Sequence, residues 1–559
     1  MNLKKDEFDP ESQEPSAVVT ARRRGWHRFL PFRLVRIRGR RRVQIYPKLL
    51  VLCGASLSAF VYVSLGLALF LNDTIRHGYD EISLFDRLYP PRWEHYRTSR
   101  GESYIRQGLK LLEEGDFSSA FHRIRVGLNR APAHREGRLT LAQMFVVAGQ
   151  AHTAEKLLLN GAEFHSGDAT YLRDTCAFLF RRQSDEEIIS LAMGILEDEA
   201  PPKDLDQLLT IAAATAGNFR GRFEFVEDLL IARGLQDSTE AKLLLNQIAW
   251  HRGYRELALL HVEDLATRFP EVRQLYRVQL EWLRELDRHD EARRLALVRS
   301  IKDPTWFLPR IDLLYAYDTS NQSDLLVDEV DAFLRDFSDD ESAILTLGDF
   351  AANTGNTEIA DLVLAHAKNM GLSISGPALM AVESRIVAGR YGESVDMSRE
   401  FLETHPEWEA QLAPVFNGLQ AIAHFAIGDG EAAQLYLDNF LALRNVRSDN
   451  LVAVSQRLEA VGAAPQARLT LERAIAADPL NQAALFRLIE LDIADRNATA
   501  LPANIQKLTT MRRPPLPLLR SARERLGGDR FLFIENREEL LDWISASADG
   551  QNQPAIPQF

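Results

Sequence analysis

A chain of 559 residues, 46% hydrophobic and 26% charged, has room for several domains, and its two cysteines (Cys53 in an apolar run, Cys176 at a small-residue position) give no disulfide framework from which to read a compartment. Residues 1–48 carry 13 Lys/Arg against 5 Asp/Glu, a balance of +8, so with the whole chain at −13 the remainder carries −21. An acidic body of that size repels phosphates, which excludes nucleic acid and leaves proteins or neutral polymers as partners.

Residues 1–20 are polar and acidic, the composition of a segment without fixed structure. From Arg22 to Lys48 eleven basic residues occur with no acid, interleaved with Trp26, Phe29, Leu30, Phe32, Leu34, Val35 and Ile37. Such a segment is a topological signal that rests on anionic headgroups, each charge contributing about 1 kcal/mol, or a docking segment for a cytoplasmic partner. Residues 1–48 are therefore expected to form a basic cytoplasmic tail, largely disordered. Leu49–Leu71 follows as 23 uncharged residues, with Ser56, Ser58 and Ser64 scattered around it. As a helix it reaches roughly 35 Å, enough for a hydrocarbon core of about 30 Å, and it is predicted to be a transmembrane helix over 49–71. The run is longer than a signal-peptide core and no Ala-x-Ala follows it; Leu52 before Cys53 does not fit lipoprotein processing. The far flank opens with Asn72, Asp73, Asp80, Glu81 and Asp86, so the charge asymmetry places the N-terminus in the cytoplasm and the rest outside. In a bacterium that means an inner-membrane anchor with a periplasmic body, joined through a juxtamembrane stalk at 72–99.

Beyond the stalk one interval recurs. Gly115 and Gly149, Ala120 and Ala154, Gly127 and Gly161, Ala258 and Ala292, Pro270 and Pro304, Gly355 and Gly389, Gly428 and Gly462, and Ala433 and Ala467 are each 34 residues apart. In the first unit Tyr104, Leu111, Phe117, Ile124 and Leu128 fall at helical spacing on either side of Glu-Gly-Asp. Gly115 suits a left-handed helix end, Asp116 caps the next helix, and Pro132 stops it. Small residues at Gly108, Ala120 and Gly127 admit close helix approach. This set resembles the tetratricopeptide repeat family, and residues 100–510 hold enough chain for eleven or twelve such units. The resemblance fades over 169–238 and 307–340. It implies an all-α fold: a right-handed α-solenoid of antiparallel helix pairs, preceded by the one transmembrane helix.

In the family the first helix of each pair lines the concave face. Carried over unit by unit, this puts Gln247, Trp250, Gln274, Arg277, Glu281 and Arg284 in a partner-binding groove, with Tyr315 beside them. Aromatic and arginine side chains suit a peptide or a glycan. Glu102, Ile105 and Leu109 stand where the carboxylate clamp of chaperone-binding members needs Lys and Asn, which argues against capture of an acidic C-terminus. Arg513-Pro514-Pro515-Leu516-Pro517 reads as a stiff connector within 511–545. Leu540, Leu541, Trp543 and Ile544 give a capping helix, and 546–559 is expected to be disordered. Acidic clusters such as Asp185-Glu186-Glu187 read as solvated helix starts. The sequence contains no phosphate loop, metal-ligand spacing or nucleophile elbow, so neither an enzyme, a metal nor a small-molecule cofactor is expected. The function implied is a membrane-anchored scaffold for protein–protein interactions in the cell envelope, of the kind used in polysaccharide export or envelope assembly. Two alternatives stay open: a transmembrane regulatory adaptor signalling through its basic tail, and a cytoplasm-facing adaptor of inverted topology.

Overall fold

The computed structural model describes residues 32–37, 40–45, 47–76, 83–198, 201–443, 446–495, 499–534 and 536–550. Residues 1–31 and 551–559, most of the two tails expected to lack structure, lie outside the described residues. The chain divides into two compact units, Met1–Phe164 and His165–Phe559.

The first unit departs from expectation at its start. Phe32–Ile37 and Arg40–Ile45 pair as antiparallel strands, Phe32 opposite Ile45 and Ile37 opposite Arg40, inside the tail predicted to be largely disordered. Alternating apolar and basic residues are a strand pattern that composition alone conceals. Helix Pro47–Leu71 follows, and among the described residues it is the one helix long and apolar enough to cross a membrane. The expected stalk is also folded. Ser83 caps helix Leu84–Leu88 through a capping box with Asp86, and Pro90–Arg92 turns the chain into helix Trp93–Glu113. Two helix pairs complete the unit: Trp93–Glu113 with Phe117–Leu128, and Arg135–Val147 with Ala151–His165.

The second unit is an all-α solenoid. Ten further pairs run from Ala169 to Leu508, and Leu516–Gly527 with Arg537–Gly550 adds one more. The stretches where the repeat signal fades are regular pairs: Ala169–Arg182 with Asp185–Asp198, Lys203–Phe219 with Phe223–Ala232, and Leu308–Thr319 with Ser323–Asp336. The final helix runs on to Gly550, taking in the first five residues of the expected disordered tail.

One turn explains both the regularity and the fading. In eleven successive pairs the residue that ends the first helix has positive φ: Gly115, Gly149, Gln183, Gly221, Gly253, Asp287, Asn321, Gly355, Gly389, Gly428 and Gly462. In all eleven the amide of the following residue donates to the carbonyl five residues back, at 2.7–3.0 Å, as in Ser184 to Leu179 and Arg390 to Arg385. Glycine adopts this conformation without Cβ strain; Gln183, Asp287 and Asn321 do so at a cost, and two of these three sit where the sequence pattern is weakest.

Each pair buries its apolar face on its neighbours, so the core is continuous along the unit. Phe333, Phe350 and Phe440 are fully buried in the stretch from Ile311 to Leu491. Of the expected capping face, Leu540 and Ile544 are buried against Leu485, Ile489, Leu501, Ile505 and Leu526, while Leu541 and Trp543 remain half-buried at its edge.

The C-terminal connector does more than link. Arg512 donates from Nε and Nη2 to the two carboxylate oxygens of Asp185, both at 2.8 Å, and from Nη2 to the Phe180 carbonyl at 3.0 Å. The Arg513 amide donates to the Phe219 carbonyl at 2.8 Å, and the Arg512 and Arg513 guanidinium groups lie over Phe219 and Phe223. Arg182 and Asp478 form a further ion pair at 3.1 Å. Seven helix pairs, from Thr239 to Ala477, lie between the two sides of this contact, so the second unit closes on itself. Asp185 is not the solvated helix-start acid that the sequence suggests: its side chain is fully buried beneath Arg512.

Two outcomes follow. Gln183→Gly removes the strain of a left-handed glutamine and should raise stability by about 1 kcal/mol, read from the melting midpoint; an unchanged or lower midpoint would show that the turn carries no strain. Arg512→Ala leaves a buried carboxylate without its partner and should cost about 3–5 kcal/mol in denaturant melts. Removing Asp185 as well, in Arg512→Ala/Asp185→Ala, should recover part of that loss; a double variant no better than the single would refute the pairing.

Candidate partner-binding groove

Helix Arg273–Glu285 has two distinct faces. Leu275, Tyr276, Val278, Gln279, Leu280, Trp282 and Leu283 are buried, while Gln274, Arg277, Glu281 and Arg284 are exposed. The exposed four are spaced by three, four and three residues, so they form one stripe along the helix. Gln274 and Arg277 make no hydrogen bond or ion pair among the described residues. Between Glu341 and Ala460 the first-helix row curves inward. Arg457, on helix Ser448–Ala460, donates to Glu383 on Ser375–Val387 at 3.0 Å and to Asn353 on Glu341–Thr354 at 3.4 Å. First helices of well-separated pairs meet this way only if the row curves inward.

Asp312, on helix Leu308–Thr319, ties the stripe to the next pair. It accepts from the Tyr276 hydroxyl at 2.8 Å and from Arg284 Nη2 at 2.9 Å. Burial raises its pKa despite both donors, and also raises that of Tyr276. Burial, reinforced by Glu285, raises Glu281 as well. Tyr315 is half-buried, its ring edge-on to Phe350 with centroids 4.8 Å apart. Arg284, Asp312 and Tyr315 line a cavity of about 550 Å³ together with His289, Arg293 and Thr319.

Two of the seven expected residues have other jobs. Trp250 is only 2% exposed and stacks on Trp282, centroids 4.3 Å apart and planes 5° apart, with its indole N–H donating to Glu285 at 3.2 Å. It is a core side chain between adjacent first helices, because helix Thr239–His251 is buried on most of its circumference. Gln247 is half-buried and accepts from Asn218 Nδ2 at 3.0 Å, so it joins neighbouring helices. Gln274, Arg277, Glu281, Arg284 and Tyr315 are brought to one region. Sequence reasoning missed Asp312, Glu383 and Arg457. Asp312 lies in the unit whose register the sequence does not fix, and the other two contact residues dozens of positions away, for which no local signal exists.

Among the described residues no three His, Cys, Asp or Glu side chains gather to hold a metal ion. The buried Cys176 thiol is pushed up to about 11 by desolvation, which keeps it protonated and unreactive at neutral pH.

No protein-family profile and no curated protein matches the chain. Among solved structures it is similar to one described as Naa15/Naa10 bound to HypK-THB, at 14% identity over 88% of this chain and 78% of that one, with a TM-score of 0.25. It is also similar to yeast Tom70, at 13% identity over 82% of this chain and 97% of that one, with a TM-score of 0.30. Superpositions this loose transfer no residue and no function.

His251 ends the helix that carries Gln247 and Trp250, stacked parallel to Phe223. Burial, then the charges of Arg513 and Arg255, hold its pKa down to about 3 from the usual 6.5. The unfolded chain therefore takes up a proton below about pH 6.5 that the folded chain refuses, and stability falls as pH drops through that window. Between pH 7 and pH 5 the loss should be about 2 kcal/mol for this one group. The difference between the native protein and His251→Gln, measured in denaturant melts at both pH values, isolates it; equal pH slopes in the two proteins would refute it.

Proposed function

We propose that this chain is a non-enzymatic, membrane-anchored scaffold of the cell envelope that holds a protein partner in the first-helix groove of its second unit. The stripe Gln274, Arg277, Glu281 and Arg284 carries the reading: charged and amide side chains stand exposed on the first-helix row, on a helix whose other face is fully used in packing. Tyr315 and Asp312 extend that surface onto the next helix. Planar guanidinium groups beside carboxylates and a half-buried tyrosine suit an extended peptide, and the same groups suit a glycan. Helix Pro47–Leu71 serves as the anchor, and the eleven basic residues before it support a cytoplasmic N-terminus and an exported body. Polysaccharide export and envelope assembly are settings that use such a part. A second reading, a regulatory adaptor, has one observation in its favour: the basic tail folds into an antiparallel strand pair, which offers a cytoplasmic partner a fixed shape.

The test uses residues that the packing does not need. Gln274→Ala/Arg277→Glu should abolish co-purification of the main partner in mild detergent, since truncating one hot-spot side chain costs about 2 kcal/mol or more in affinity. Surface changes of this kind should leave stability within about 0.5 kcal/mol of native. Retention of the partner by a stable double variant would place the binding surface elsewhere.

A further inference from the structure

The segment after the long apolar helix folds back against that helix, at a specific height. Gly66 is the one buried residue among the described residues of Pro47–Leu71, and the side chain that covers it is Leu88, whose Cδ2 leaves no room for a Cβ at Gly66. Four residues lower, the Tyr62 hydroxyl donates to the Leu88 carbonyl at 2.7 Å, satisfying an acceptor that the end of a short helix leaves open. Trp93 reaches back to the same place, its indole N–H donating to the Arg87 carbonyl at 3.0 Å. Tyr62, Leu65, Gly66 and Leu69 on one side and Trp93 and Tyr96 on the other line a cavity of about 370 Å³.

Three large aromatic rings held in this way face outward. Phe85 is 56% exposed, Tyr89 47% and Trp93 53%. Phe85 and Tyr89 stack with centroids 5.4 Å apart, and the Arg92 guanidinium lies 5.1 Å from the Phe85 centroid while pairing with Asp86 at 3.1 Å. Exposed rings with arginines beside them are costly in water and favourable at a bilayer surface, where amphipathic rings sit at headgroup level.

The height agrees with the length of the apolar helix. Counting about 1.5 Å per residue from Lys48, the last inner charge, Gly66 stands roughly 27 Å and Leu69 roughly 32 Å along the helix. A hydrocarbon core is about 30 Å thick, so its outer boundary falls at the level where Leu88 and Trp93 pack. The folded-back segment packs against Tyr62 to Leu69, roughly 21 to 32 Å along the helix, so it covers the outer part of the core and its boundary.

We propose that residues 83–96 form a membrane-interface collar, in which Phe85, Tyr89 and Trp93 enter the headgroup–acyl boundary of the leaflet beside the outer end of the anchor helix. The partner is the lipid surface itself. Arg87 and Arg92 stand among the rings at the level of lipid phosphates. The collar rests on the reading of Pro47–Leu71 as a membrane anchor and adds a second attachment, which fixes the start of helix Trp93–Glu113 at the membrane surface.

The test places the full chain in nanodiscs of phosphatidylethanolamine and phosphatidylglycerol. In a background carrying Cys53→Ala and Cys176→Ala, an environment-sensitive fluorophore is attached at Tyr89→Cys, at Trp93→Cys, or at the control Val147→Cys, a position 84% exposed in the same unit. Lipids spin-labelled at the headgroup or high on the acyl chain should quench positions 89 and 93 several-fold more than position 147. Equal quenching at all three positions overturns the collar. Fluorescence at 89 and 93 that ignores the labelled lipid but changes between nanodiscs holding one copy and two also overturns it, in favour of a contact between copies. Alkaline extraction of membranes separates the two readings: a chain that washes out defeats the anchor, whereas a retained chain with unquenched collar positions defeats the collar alone.

Discussion

The structure depends on a single hydrogen-bonded turn repeated eleven times. A left-handed residue ends the first helix of a pair, and the next amide donates to the carbonyl five residues back. That bond satisfies helix-end acceptors and fixes the direction in which the second helix leaves. Five of these residues, from Gly253 to Gly389, follow one another at intervals of 34, so five consecutive pairs share the same local geometry. Small errors in such a turn would accumulate along an array in which each pair positions the next. Keeping the turn uniform even where glutamine, aspartate or asparagine must adopt it shows which constraint prevails when local strain and global stacking disagree.

Stacking on a fixed turn has electrostatic results. Because first helices share one face, polar residues there can bridge neighbours, as Asp312 does between Tyr276 and Arg284, and can span larger gaps, as Arg457 does to Glu383 and Asn353. Each bridge draws a carboxylate or guanidinium partly out of water. Asp312 feels that desolvation more than it feels its cationic neighbours. The inner surface is therefore neither a plain solvated face nor a packed core.

Much of this was legible in the sequence, for identifiable reasons. Glycine at a left-handed turn leaves a direct mark, and eight of the eleven turns carry one. The long uncharged run marks its helix equally directly. Legibility failed wherever the determinant was not local. Gln183 and Asn321 perform a glycine's role without looking like one. Trp250 carries the marks of a recognition residue, but Trp282 lies beside it and the two rings bury each other. The contact between Arg512 and Asp185 spans 327 residues, and no reading of either neighbourhood alone could pair them. The exposed stripe of helix Arg273–Glu285 was readable because that helix separates its faces cleanly, whereas helix Thr239–His251 is buried almost all round and does not.

Closure of the second unit bears on how such a chain can change over generations. An open repeat array grows or shrinks by duplication or loss of a unit, since each repeat answers only to its neighbours. Here Arg512 must arrive at Asp185, and the Arg513 amide at the Phe219 carbonyl, after seven intervening pairs. One inserted pair would carry the arginines past their partners and strand a carboxylate that is now fully buried. The number of repeats between Ala169 and Leu508 is thus as fixed as the number of strands in a closed barrel, and new function in this array has to come from residue substitution within a set count of units.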